Sequence, residues 1–199
     1  MTKRVLFYYF GLFSRHYLLG LPGVLCDSLV RYYCPSVLVK GFRVIDPVIE
    51  TRGDFVEAIG KALEMIEESD PIRFSRVKRE IRCIVNAPAY LGTSYGRPLR
   101  FVAINFPLFH DADEPRITVM LIASALVYEA TFGHLLSRGI LRSRENTDWF
   151  EKSCCHEAHC FLRRIGMTKT PWDPQQLVTL PKGSFLRHAI NEIGKSWGC

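Results

Sequence analysis

An α+β domain, mostly helical with a small β-sheet or hairpin, preceded by a helical, basic and aromatic N-terminal segment, is the fold class this sequence predicts. Three observations lead there. Helical signatures occupy residues 54–66, 116–136 and 149–164. Two short segments with strand character, 81–85 and 99–106, lie between the first and the second of these. The 199 residues are 48% apolar and 23% charged, which is length and composition for one domain with a real core. That excludes a largely disordered chain, a collagen-like chain and a polytopic membrane protein. No uninterrupted apolar run approaches the roughly 18 residues that a spanning helix needs. The seven cysteines are odd in number and irregularly spaced. A reducing, cytoplasmic setting is therefore expected, without a disulfide framework. Cys199 closes the sequence, so no prenylation box is expected.

Residues 1–43 read as a segment of their own, ahead of a main domain over 44–199. Six basic residues there face one acid, Asp27, and nine of the 24 aromatics fall in the same stretch. Such a leader suits an anionic membrane surface, with Lys3, Arg4, Phe7, Phe10 and Arg15 as contact residues. A cleaved signal is disfavoured, because Ser14, Arg15 and His16 interrupt the apolar run and no clean cleavage site follows. Nucleic acid is not expected as a partner, because the basic residues are scattered. Packing on the main domain as a helical pair is the plainer alternative to a peripheral position at the inner face of a membrane.

The main domain is then read in order. Residues 41–53 look like a connector. Asp54 and Glu57 have capping-box spacing and open a helix whose buried stripe is Phe55, Ala58, Ile59, Ala62, Leu63 and Ile66. Asp70 caps a second helix with Pro71 at its first position. Its Arg73, Arg76, Lys78 and Arg79 read as a solvated face, with Glu80 and the preceding helix's acids as partners. Ile81–Val85 and Leu99–Phe106 read as strands joined by a loop over Asn86–Pro98, where Gly92, Gly96 and Pro98 crowd together. Ile117–Val127 is apolar all round except Thr118 and Ser124, which marks a central core helix. Trp149–Arg164 buries Phe150, Cys154, Ala158, Phe161 and Ile165 at helical period. From Gly166 the chain reads as a loop, then as a final helix over about 184–194.

The core helix ends Leu126-Val127-Tyr128-Glu129-Ala130-Thr131-Phe132-Gly133-His134. This resembles the helix of zincin-like metallopeptidases that carry an HEATHG-type version of HExxH. In that motif two histidines at i and i+4 bind zinc and the intervening glutamate polarises the metal-bound water. The resemblance implies a zincin-like fold over about 54–165, with ligand positions at Tyr128, Phe132 and, on the next helix, Glu151. Phe132 offers no donor, and Tyr128 only a phenolate whose ordinary pKa is near 10. No metal is therefore expected, and Glu129 stands as a vestigial general base. Zinc would enter only through non-standard ligation by His134, Cys155, His156, His159 or Cys160. The pairs Cys155/His159 and His156/Cys160 point to different faces of one helix, so they cannot close a four-ligand site.

No phosphate-binding loop, GxGxxG or GxSxG occurs. The expected function is thus metallopeptidase-like, metal-free and catalytically inactive. It would keep a groove for an extended peptide or protein partner between the 99–106 strand and the Glu129 helix. The alternatives are a membrane-surface adaptor using the N-terminal segment and an active zinc hydrolase with unorthodox ligands.

Overall fold

The computed structural model describes residues 36–46, 52–87, 93–97, 100–110, 114–140, 143 and 145–167. Lys3, Arg4, Phe7, Phe10 and Arg15 lie outside the described residues, as does the helix expected over about 184–194.

Strand β1 (Val37–Val39) and strand β2 (Phe42–Ile45) form an antiparallel hairpin. They are joined through Lys40 and Gly41, both at positive φ, as a tight two-residue hairpin turn requires. Residues 42–45 were expected in a connector, yet β2 is a fully paired strand of the sheet that runs across the boundary drawn after residue 43. Period-two alternation over so short a stretch is swamped by the neighbouring Pro47 and glycines.

Helix α1 (Arg52–Ser69) begins two residues earlier than its acidic signal, so Asp54 sits in the first turn. Helix α2 (Pro71–Glu80) is capped as its sequence predicts: the Asp70 carboxylate accepts from the Arg73 backbone N–H, with Pro71 at the first position. Strand β3 (Cys83–Asn86) follows and pairs parallel to β2. Strand β4 (Thr93–Gly96) lies inside the expected loop, and strand β5 (Phe101–Ile104) inserts between β3 and β4. The result is a five-stranded mixed sheet in the order β1-β2-β3-β5-β4, larger than the small sheet or hairpin expected. β5 is parallel to β3, while β4 is antiparallel to β5 and ends the sheet. The strand expected beside the groove is therefore interior, and the edge belongs to β4.

Helix α3 (Pro115–Ser137) and helix α4 (Thr147–Arg164) complete the domain. At 23 residues α3 is long and apolar enough to cross a membrane, but most of it is buried inside the fold. Its apolar residues meet α1, α2, α4 and one face of the sheet in a single core that includes Val44, Ile84, Val102, Ile104 and Leu126. Truncating a fully buried leucine such as Leu126 to alanine should cost about 2–5 kcal/mol. The opposite sheet face carries a second cluster, Ile45, Cys83, Val85, Ala87 and Ala103, to which none of the four described helices contributes.

Register assigns the β4 side chains. Thr93 and Tyr95 stand opposite Ile104 and Val102, so they point into the helical core, while Ser94 and Gly96 face the other way. A Cβ at Gly96 would meet the Phe101 ring, which would have to move aside to admit it.

Candidate functional site

The edge strand is fastened to α3 at two points. Thr93 Oγ1 donates to Glu129 Oε1 at 2.6 Å, and both residues are buried. Two residues along, the Tyr95 ring rests on Gly133 so closely that a Cβ there would stand 2.7 Å from Cζ. The Tyr95 hydroxyl continues past α3 and donates to the Glu80 carbonyl at 3.0 Å. A side chain at residue 133 would lift β4 off the helix, which explains glycine in mid-helix despite its cost of about 1 kcal/mol.

Glu129 is 4% exposed. Burial pushes its carboxyl up to about 7, and the Thr93 hydroxyl only partly opposes this. Glu129 is thus a buried acid held by one hydroxyl, its charged form disfavoured by burial.

Phe132 stacks edge-on against Phe150 of α4 at 4.9 Å and lies 6.1 Å from the Tyr95 ring. The ring bridges β4, α3 and α4 where the motif would set a histidine. Tyr128 is held well above the ordinary phenol range, first by burial and then by the negative fields of Glu129, Cys154, Cys155 and Glu151. Its hydroxyl stays protonated and supplies no phenolate. Glu151, on α4, is half-buried. These donors do not fit zinc: Phe132 has none, the Tyr128 proton stays on, and two carboxylates are left.

The alternative ligands do not converge. Among the described residues no group of three His, Cys, Asp or Glu side chains could hold a metal ion. His134 turns away to Arg79 at 3.0 Å and Glu80 at 3.4 Å. Burial, Arg79 and Arg138 keep its imidazole below the usual range against the pull of Glu80. His156 and Cys160 face each other at 3.5 Å on an outer face of α4. Cys155 is buried and His159 half-buried.

A shallow groove of about 410 Å³ runs along the other side of α3 and α4, lined by Arg76, Thr131, His134, Lys152, His156 and Glu157. Glu129 does not border it. Arg76 is engaged there with Glu157 at 2.7 Å and Thr131 at 3.2 Å. Arg73 also reaches Glu157, and with Arg164 it pairs with Asp70. Of the basic residues of α2 expected to be solvated, Lys78 and Arg79 are exposed and Arg79 pairs with Glu80 as expected, whereas Arg73 and Arg76 are half-buried and reach Glu157 of α4 rather than the acids of α1.

Thr93 and Tyr95 belong to this candidate site and were not singled out from the sequence. Their only local signal is strand propensity in Thr-Ser-Tyr, three residues long between two glycines. No protein-family model, curated protein or solved structure matches the chain.

Proposed function

We propose that this chain is a zincin-like, metallopeptidase-like protein that holds no catalytic metal, performs no hydrolysis, and binds an extended peptide segment of a protein partner along β4. The observation that carries the reading is the edge strand β4, fastened by Thr93 and Tyr95 onto the helix that bears the degenerate motif. The outer edge of β4 has no strand partner among the described residues, and pairing of an added strand there is the proposed binding mode. Filled ligand positions support the loss of catalysis. Glu129 without a metal has no activated water to serve.

The test titrates the isotope-labelled full chain with a capped peptide of alternating threonine and valine. Amide shifts should concentrate at Thr93–Gly96, and the peptide should stay intact with or without added zinc. Shifts confined to other elements, or hydrolysis that a chelator stops, would contradict the reading.

The charge of the first 43 residues carries a separate proposal, contact with an anionic membrane surface. Co-sedimentation with phosphatidylserine but not phosphatidylcholine vesicles is expected, weakened by salt and abolished by Lys3→Gln, Arg4→Gln and Arg15→Gln together. Equal binding to both vesicle types would sink it.

A further inference from the structure

Five arginines gather where β4 ends. Arg97 follows the strand directly, and its carbonyl accepts from the Arg100 N–H at 3.3 Å. The Arg100 carbonyl accepts from the Arg82 N–H at 2.7 Å, and the Arg100 guanidinium donates to the Arg79 carbonyl at 2.9 Å. The Arg79 guanidinium reaches His134 at 3.0 Å, and His134 also lies in the field of Arg138 at the α3 C-cap. One carboxylate sits among them. Glu80 is buried, 2.8 Å from Arg79 and 3.4 Å from His134. Arg82, Arg97 and Arg138 are exposed, and no carboxylate pairs with them or with Arg100 among the described residues. Arg73, Arg76 and Arg164, by contrast, each meet Asp70 or Glu157.

Resting on the β4 reading, we infer that this arginine rim selects the partner: the segment that pairs with β4 carries a run of acidic residues at the end lying beside Gly96 and Arg97. Charge complementarity is the argument. Arginine forks bind carboxylates bidentately, and an uncompensated cluster of them favours an acidic flank over a neutral or basic one. Backbone pairing along a four-residue edge is sequence-tolerant, so the rim supplies the specificity that the edge lacks.

The test uses the full chain and capped threonine–valine peptides with three aspartates at one end, alongside twins with three asparagines, each made in both polarities. At low salt the better acidic peptide should bind about tenfold tighter than its neutral twin, and the gap should close at high salt. Arg97→Gln with Arg138→Gln, both exposed positions, should erase the gap and leave the neutral peptide's affinity unchanged. Equal, salt-insensitive binding of acidic and neutral peptides would overturn the inference while leaving the β4 groove standing. Binding of neither would overturn both. Phosphatidylserine vesicles captured in preference to the acidic peptide, with capture lost in the Arg97/Arg138 variant, would assign the rim to a membrane and overturn the inference alone.

Discussion

Two buried carboxylates, on opposite sides of α3, live under contrary rules. Asp70, 1% exposed, accepts from the Arg73 backbone and pairs with the guanidinium groups of Arg73 and Arg164. Burial pushes its pKa up, but those donors outweigh burial and hold it below the usual range. Glu129, 4% exposed, has a single hydroxyl from Thr93, and burial wins. Asp70 is built to be ionised and to tie α2 to α4. Glu129 has an environment that works against its ionised form.

Breaking the Asp70 side should have the largest effect. Asp70→Ala strands two guanidinium groups and an N-cap donor, at about 3–5 kcal/mol by urea unfolding. Asp70→Asn, which keeps the cap, should lose less. Because the folded pKa is depressed, the Asp70 contribution is present above about pH 4 and lost as pH falls through the folded value. An unfolding free energy that Asp70→Ala leaves unchanged would dissolve the contrast.

The Glu129 side should respond in the opposite sense. A raised folded pKa means that stability is full below the ordinary value of 4.5 and declines as pH rises to about 7. At 1.36 kcal/mol per unit the decline amounts to about 3 kcal/mol. Glu129→Gln keeps an acceptor for Thr93 and removes the charge. It should therefore stabilise by up to that amount at pH 8 and by under about 1 kcal/mol at pH 5. Equal effects at both pH values would show that burial does not govern this carboxyl.

A smaller effect sharpens the comparison at the strand. Gly133→Ala puts a methyl group against the Tyr95 ring and should cost about 1–3 kcal/mol while loosening β4 from α3. Peptide-induced shifts at Thr93–Gly96 should weaken with it. Asp70→Asn, acting on the other side, should leave them in place.

What the sequence made legible follows the same division. Local chemistry declares itself: Asp70-Pro71 starts a helix wherever it occurs, and the apolar run 117–127 has nowhere to go but the core. The Asp70–Arg164 pair joins residues far apart in sequence, and no local pattern announces it. β4 is the sharper case. Thr93-Ser94-Tyr95-Gly96 is too short and polar to be a strand on its own account. Its order comes from Glu129, Gly133 and β5, contacts that exist only once α3 is in place. Glu129 stood out through the motif it resembles, whereas its burial depends on β4, which local pattern did not announce.

We propose that Tyr128 and Phe132 occupy the two histidine positions of a lost zinc site facing Glu151. Zinc binding by the double variant Tyr128→His, Phe132→His, measured by equilibrium dialysis on untagged protein, tests it most directly. About one zinc per folded chain is expected where the natural sequence takes up well under one. Adding Glu151→Gln should weaken that binding by more than about a hundredfold, since even outer partners of a ligand are worth 10–100-fold. A double variant that folds and takes up no zinc, or one indifferent to Glu151→Gln, would contradict the claim.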